Sequence, residues 1–177
     1  MQKQKKEKNF DKQLKAIKER YNEIIKGLGL KLSLEEQFET IKKNFEAKAG
    51  KDYAASRGEY LNGIIMANYL GYQFIDAANV ICFDENGEFD SEKTNEVCSE
   101  KLAATENAVI PGFYGAMPNG KVKTFSRGGS DVTGSIVARA IKADVYENWT
   151  DVSGFPCSRP KNSKKSKANQ SYYIQGT

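Results

Sequence analysis

The hydrophobic positions in the first third of the chain predict two amphipathic helices. The first run has the period of a helix and consists of Phe10, Leu14, Ile17, Tyr21, Ile24, Ile25 and Leu28. The second run has the same spacing and consists of Leu34, Phe38, Ile41 and Phe45. Ser33 with Glu36 three residues later predicts a capping box at the start of the second helix. Glycines at 27, 29 and 50 are typical of helix ends.

The rest of the chain alternates short apolar segments with further helical runs. We predict three more helices, at about 58–70, 92–103 and 131–142. Gly71 would end the first of these, and Ser91 would cap the second. An Asn86-Gly87 turn is also predicted, together with strands within 72–77, 79–83, 108–113, 119–125 and 144–149. This alternation favours an α/β layered domain with a mostly parallel sheet.

The composition restricts the chemistry that the chain can perform. It has no histidine among 177 residues, which excludes His-based metal sites, Ser-His-Asp triads and Cys-His dyads. Cys82, Cys98 and Cys157 show no C-x-x-C spacing. Cys82 lies in an apolar segment and Cys98 in a helical run, so we expect buried, inert thiols. Any catalysis must use carboxylates, amines, guanidinium groups, hydroxyls and backbone amides.

The charge distribution argues against a nucleic-acid partner. The net charge of +4 comes from the two ends of the chain, because residues 57–156 carry 8 Lys and Arg against 14 Asp and Glu. A folded core with this balance presents no basic face. No run of about 18 apolar residues is present, and the basic N-terminus is not followed by an apolar stretch. We therefore expect no membrane partner, no secretory signal and a cytoplasmic location.

The stretch from Arg127 to Asp131 is a candidate anion site. Gly128 and Gly129 allow backbone amides to approach a ligand, and the start of a helix favours negative charge. Arg127 adds a planar fork for a carboxylate or phosphate. Ser130 or Asp131 can cap the helix. The structural alternative is a glycine-rich turn with Asp131 as the N-cap and Arg127 in solvent.

Two further segments have both a functional and a structural interpretation. Glu59 follows a glycine at a predicted helix start, where its carboxylate could hold a ligand's ammonium group. Alternatively, it is a first-turn acid that the helix dipole favours. Thr150 and Asp151 end a predicted strand. They could contact a nucleotide, or they could simply close a turn.

Three segments together resemble one enzyme family. "SRGEYLNG", "AVIPGFYGAMPNGKVKTFSRGGSDVTGSIVARAI" and "YENWTDVSGF" are similar in order and spacing to those of an aspartate kinase, a branch of the amino-acid kinase fold. The resemblance covers about residues 50–155. It implies an incomplete amino-acid kinase fold with a mostly parallel sheet between helical layers. Residues 1–155 would form a partial catalytic domain, with a helical segment at 1–50 and a substrate core at 51–155.

The resemblance also implies a reaction and a set of roles. Aspartate kinases transfer the γ-phosphoryl group of ATP, with Mg2+, to the side-chain carboxylate of L-aspartate, which is the first step towards lysine, threonine and methionine. The resemblance leaves open whether the chain forms a homo-oligomer. It implies that Asp131 is the catalytic residue and that Glu59 binds the amino group of the substrate. It assigns the remaining substrate contacts to Arg127, Gly128, Gly129 and Ser130, and nucleotide contacts to Thr150 and Asp151.

The chain also departs from the family pattern. The family opens with a strand bearing a lysine and a Gly-Gly-Ser loop that grips the phosphates, and this sequence has no such N-terminal segment. Residues 156–177 are basic and without periodicity, which is typical of a disordered tail. However, when residues 156–177 are back-translated with permitted synonymous codons and the reading frame is moved by one nucleotide, the shifted frame can encode a continuation that contains the family's Asp-Pro-Lys motif. We therefore expect a fragment truncated at both ends, inactive alone, whose tail is disordered or results from a frameshift.

Two alternative functions remain open. The chain could be a non-catalytic remnant that binds aspartate or a partner through Glu59 and Arg127. It could also be another amino-acid kinase, acting on glutamate or carbamate, although "SRGEY" and "WTDVSGF" favour the aspartate branch.

Overall fold

The computed structural model describes residues 2–126 and 128–149, with side chains from residue 10 onward. Three helices come first: α1 (Gln2–Gly27), α2 (Glu35–Glu46) and α3 (Lys51–Leu70). They are followed by β1 (Gln73–Phe74), a 3-10 turn (Ala77–Asn79) and α4 (Ser91–Leu102). The last elements are β2 (Ala108–Val109), β3 (Tyr114–Ala116), β4 (Val122–Thr124) and α5 (Gly129–Ala140). Within this part of the chain no helix is long and apolar enough to cross a membrane.

The first three helices share a hydrophobic core that the sequence period predicted. Its buried members are Ile25, Leu34, Phe38, Ile41, Leu61 and Ile65. The predicted capping box is wrong. Leu34 holds the cap position of α2 without a side-chain cap, and the Ser33 hydroxyl accepts a weak hydrogen bond from the Glu35 N–H at 3.4 Å. Leu34 is only 1% exposed, so burial of this side chain decides where the helix begins.

The third helix starts seven residues earlier than the sequence predicted. It begins at Lys51, after Gly50, whose positive φ of 96° favours glycine, and it ends before Gly71, which has a left-handed conformation (φ 70°), as expected. Gly58 therefore lies inside the helix, where glycine costs about 1 kcal/mol relative to alanine. The hydroxyl of Tyr21 on α1 donates to the Gly58 carbonyl at 3.1 Å. The helix therefore continues through Gly58, a residue type that is common at helix ends, and it packs there against α1.

The strands form two short pairs. β1 pairs in parallel with β2, and β3 pairs antiparallel with β4. The strand predicted at 79–83 is reduced to isolated bridges at Cys82 and Phe83. The hydroxyl of Thr94 on α4 accepts from the Cys82 N–H at 2.9 Å, where a strand partner would otherwise bind. The strand predicted at 144–149 is wrong, because these residues have no regular structure and Trp149 is 88% exposed.

The second core lies between the strand pairs and the two later helices. It contains Val80, Ile81, Cys98 and Tyr114, all fully buried. Burial raises the pKa of the Cys98 thiol, and likewise that of Cys82, which agrees with the inert role expected for both. Cys157 lies outside the described residues.

Neither later helix has the cap that the sequence predicted. Asp90 rather than Ser91 caps α4, accepting from the Lys93 N–H at 3.0 Å. Gly128 (φ 60°) is the cap residue of α5, with no side-chain cap. Ser130 and Asp131 therefore lie in its first turn, and the prediction that one of them caps the helix is wrong.

Candidate functional site

The start of α5 lies directly against the loop at 111–113. A Cβ placed on Gly112 would lie 2.9 Å from the Cα of Ser130. A Cβ placed on Gly129 would lie 2.6 Å from the Cβ of Phe113. These separations are shorter than real contacts between such atoms, so both positions require glycine for the two segments to meet. Gly128 has open space around it, and its left-handed φ of 60° is a conformation that glycine adopts without strain.

Thr133 fastens this contact with a pair of hydrogen bonds. Its hydroxyl accepts from the Phe113 N–H at 3.0 Å and donates to the Gly129 carbonyl at 2.7 Å. Thr133 is 3% exposed, so no water competes for these bonds. Phe113 has φ 63°, which is uncommon for a non-glycine residue and is found where surrounding contacts enforce it. The loop and the helix start therefore form one pre-organised wall.

This wall borders a cleft of about 440 Å³, within the usual range for small-molecule sites. The opposite side of the cleft is α3. The lining residues are Glu59, Asn62, Gly63, Met66, Ala108, Val109, Ile110, Pro111, Gly112, Ser130, Thr133, Gly134 and Val137. The structure thus brings together Glu59 and Ser130, which are 71 positions apart in the sequence.

Glu59 supplies the negative charge of the cleft. Its carboxylate is solvent-exposed on α3, beside the amide of Asn62. Glu59 also acts on Tyr21, whose pKa is raised first by burial and then by this neighbouring carboxylate. An exposed carboxylate facing a cleft is suited to an ammonium group.

The first turn of α5 supplies the complementary electrostatics. Gly129, Ser130 and Asp131 occupy this turn, where backbone N–H groups lack helical partners and the helix dipole is positive. An anion bound here would face Glu59 across the cleft. The arrangement suits a small molecule with a positive group at one end and a negative group at the other.

Asp131 lies beside the cleft rather than in its lining. Its side chain is exposed on the first turn of α5. The Tyr146 hydroxyl donates to the Asp131 backbone carbonyl at 3.3 Å. Burial, followed by the charge of Asp131, raises the pKa of the Tyr146 phenol. Among the residues that the structure describes, no cation forms an ion pair with the Asp131 carboxylate.

Arg127, Thr150 and Asp151 lie outside the described residues, so their predicted roles remain predictions. Thr133, Phe113 and Tyr146 were not singled out from the sequence. A threonine inside a helical run carries no distinctive signal, whereas the Pro-Gly pair before Phe113 does indicate an unusual turn. Within the described ranges, no group of three metal-ligating side chains occurs.

A family model described as the amino acid kinase family matches residues 3–170. The chain belongs to the amino acid kinase family. Its relatives within this family include aspartokinase 3 of Bacillus subtilis, which is 38% identical over 109 residues. That match covers 57% of this chain and 24% of the relative.

Solved structures of amino acid kinases match the fold. The aspartate kinase of Clostridium acetobutylicum has a TM-score of 0.78 and 54% identity, covering 89% of this chain and 36% of that one. Aspartokinase III of E. coli, solved in complex with aspartate and ADP, has a TM-score of 0.71 and 25% identity, covering 91% and 40%. The chain thus spans a quarter to two fifths of these relatives. Its fold is an incomplete α/β amino-acid kinase fold, as predicted.

Proposed function

We propose that this chain carries the amino-acid-binding part of an aspartate kinase. The reaction would transfer the γ-phosphoryl group of ATP to the side-chain carboxylate of L-aspartate. The observation that carries the proposal is the cleft in which Glu59 faces the first turn of α5. The similarity to aspartokinases, one of them solved with aspartate and ADP, favours aspartate over glutamate or carbamate as the substrate.

Aspartate would bind across the cleft by its two charged ends. Its ammonium group would lie at Glu59, and a carboxylate would accept from the backbone amides and the hydroxyl at Ser130. Arg127 would add a bidentate contact to that carboxylate. Gly128 and Gly129 would keep side chains away from the pocket. The contact fastened by Thr133 fixes the position of the amides before the substrate arrives, which avoids reorganisation during the reaction.

In the chemical step, an oxygen of the side-chain carboxylate would form a bond to the γ-phosphorus, and the bond from that phosphorus to the ADP oxygen would break. Positioning and charge neutralisation supply most of the catalysis in such transfers. Asp131 would organise the region of the transferring group, and Thr150 and Asp151 would contact the nucleotide. Mg2+ bound with ATP would neutralise phosphate charge, and Asp131 would organise the metal beside the transferring group.

The product, 4-phospho-L-aspartate, would be a precursor of lysine, threonine and methionine. We expect the isolated chain to turn over little or not at all. The N-terminal lysine and phosphate-binding loop that the resemblance implies have no match among residues 1–177. Loss of one such electrostatic donor commonly costs about 100- to 1000-fold in rate.

Calorimetry with L-aspartate and succinate tests the binding proposal. Succinate has both carboxylates of aspartate and lacks the ammonium group. Glu59→Gln should weaken aspartate binding by about 10-fold, the lower end expected for a hydrogen bond to a charged group, while succinate binding should not weaken. Glu100→Gln is the matched control, because Glu100 is exposed on α4 and does not line the cleft.

The results separate the alternatives. Aspartate binding without ADP formation in a coupled assay would support a binding part that needs the rest of the enzyme. Equal weakening of aspartate and succinate by Glu59→Gln would contradict the role of Glu59. Kinase turnover near full-enzyme rates would contradict the expectation of inactivity.

A further inference from the structure

A second cavity, separate from the cleft, lies between α2 and α3. Its volume is about 150 Å³, or room for roughly five water molecules at about 30 Å³ each. We name it the α2–α3 cavity. It is lined by Glu36, Gln37, Thr40, Ile41, Tyr53, Arg57 and Tyr60. None of these residues lines the cleft that contains Glu59.

Arg57 is a buried cation at this cavity. Its residue is only 8% exposed, and its guanidinium lies 4.5 Å from the ring centroid of Tyr53 and 4.4 Å from that of Tyr60. Its Nε and Nη2 donate to the Ser56 hydroxyl at 3.1 and 2.9 Å. Among the residues that the structure describes, no carboxylate forms an ion pair with it. A buried charge without a counter-charge is costly, so an anionic group in the cavity would be strongly favoured.

Gln37 contributes a hydrogen-bond acceptor without a donor to the same cavity. Its side-chain Oε1 is buried and accepts no hydrogen bond from the described residues. A buried acceptor without a donor costs about 1–3 kcal/mol. Glu36 adds an exposed carboxylate to the lining. The cavity therefore suits a hydrogen-bond donor as well as an anion, and the Glu36 carboxylate favours a donor with positive charge.

We propose that the α2–α3 cavity binds the ammonium and carboxylate groups of a free α-amino acid. The carboxylate would pair with the Arg57 guanidinium, and the ammonium group would donate to Gln37 Oε1 beside the Glu36 carboxylate. The rings of Tyr53 and Tyr60, whose faces hold the guanidinium, would also border the ligand because both line the cavity. A simple anion would leave Gln37 without a donor and would be repelled by Glu36. A simple amine would be repelled by Arg57.

The site is distinct from the proposed aspartate site. Arg57 and Glu59 are two positions apart on α3, a spacing that directs side chains to different sides of a helix. The amino acid in the α2–α3 cavity would therefore bind independently of a ligand in the cleft. It would also stabilise the packing of α2 against α3.

Calorimetry on the complete chain tests this proposal with glycine, acetate and methylammonium. Glycine should bind saturably, and acetate and methylammonium, which each carry one of its charges, should bind at least about 10-fold more weakly. Glu36→Gln and Gln37→Met should each weaken glycine binding. Arg57→Lys should also weaken it, because lysine keeps the charge and loses the planar fork.

Two control variants complete the design. Glu39→Gln changes an exposed α2 carboxylate that does not line the cavity, and Glu59→Gln changes the cleft. Glu39→Gln should not alter glycine affinity, and the glycine binding that depends on Arg57 and Gln37 should persist in Glu59→Gln, which weakens only binding in the cleft. If Arg57→Lys fails to fold, the Glu36 and Gln37 variants still decide the outcome. The proposal is overturned if glycine shows no saturable binding. It is also overturned if acetate binds as tightly as glycine and Glu36→Gln strengthens the binding of acetate. It is also overturned if Glu59→Gln removes glycine binding.

Discussion

Thr133→Val is the substitution that tests the pre-organised wall of the cleft most directly. Valine has nearly the same shape as threonine, so the packing around position 133 is retained. The change removes the acceptor for the Phe113 N–H and the donor to the Gly129 carbonyl. Both partners lie in the contact between the loop at 111–113 and the start of α5.

The expected loss of stability follows from burial. Position 133 is 3% exposed, so water cannot replace the lost hydroxyl. Leaving a buried polar group unsatisfied costs about 1–3 kcal/mol. For a loss of about 2 kcal/mol in a protein of this size, the thermal midpoint should fall by about 4–8 °C. Aspartate binding should weaken as well, because the amides at Ser130 are positioned by this contact.

Thermal unfolding monitored by circular dichroism gives the measurement, and Thr40→Val gives the matched control. The Thr40 hydroxyl also donates to a backbone carbonyl, that of Glu36 at 2.9 Å, but Thr40 is exposed on α2. Surface changes of this kind usually stay within about 0.5 kcal/mol. Equal midpoints for the two variants would refute the reasoning, because burial of the Thr133 hydroxyl would then have no energetic consequence.

Three further predictions concern other parts of the chain. The Gly129→Ala variant should unfold at a lower denaturant concentration than the parent chain, because the added Cβ would overlap the neighbouring loop. Gly27→Ala is the control, with nothing within 4 Å of the added atom, and its midpoint should not fall. Equal midpoints for the two variants would contradict this prediction. The Glu88 N–H donates to the Asp84 carboxylate and lowers its pKa. The stabilisation from Asp84 should therefore be present above the ordinary pKa of aspartate and lost as the pH falls through the lowered value, and Asp84→Asn should flatten the stability profile below that ordinary pKa. Genomic DNA should permit a continuation of the family pattern over 156–177 after a shift of one nucleotide, and codons that forbid it would eliminate the frameshift hypothesis.

Local periodicity was enough to predict the helical part of the fold. The apolar positions of α1 and α2 predicted most of their packed faces because the period of a helix is a property of the local sequence, but Ile17 and Leu28 are exposed. The predicted start of α3 at about residue 58 was wrong: the helix begins at Lys51 and includes Gly58, whose carbonyl accepts a hydrogen bond from Tyr21 on α1. The strand predicted at 79–83 was too long because Thr94, distant in sequence, takes the Cys82 N–H.

The candidate site was predictable only in part, for similar reasons. Glu59 and Ser130 share a cleft, as their proposed roles require. The role of Thr133 depends on a partner 20 residues away and has no sequence pattern of its own. Burial of Arg57 runs against the usual exposure of arginine. Tyr53 and Tyr60, four residues before and three residues after Arg57, lie at the helical spacing that places their rings against it.

The close approach of Gly112 to Ser130 and of Gly129 to Phe113 has a mechanical consequence. The two segments touch through backbone atoms, and backbone atoms cannot yield by changing rotamer. Any displacement of the first turn of α5 must therefore carry the loop at 111–113 with it as one rigid piece. A hinge for such a movement would lie outside these two contacts, and at Gly128, next to Gly129, an added Cβ would meet no atom within 4 Å.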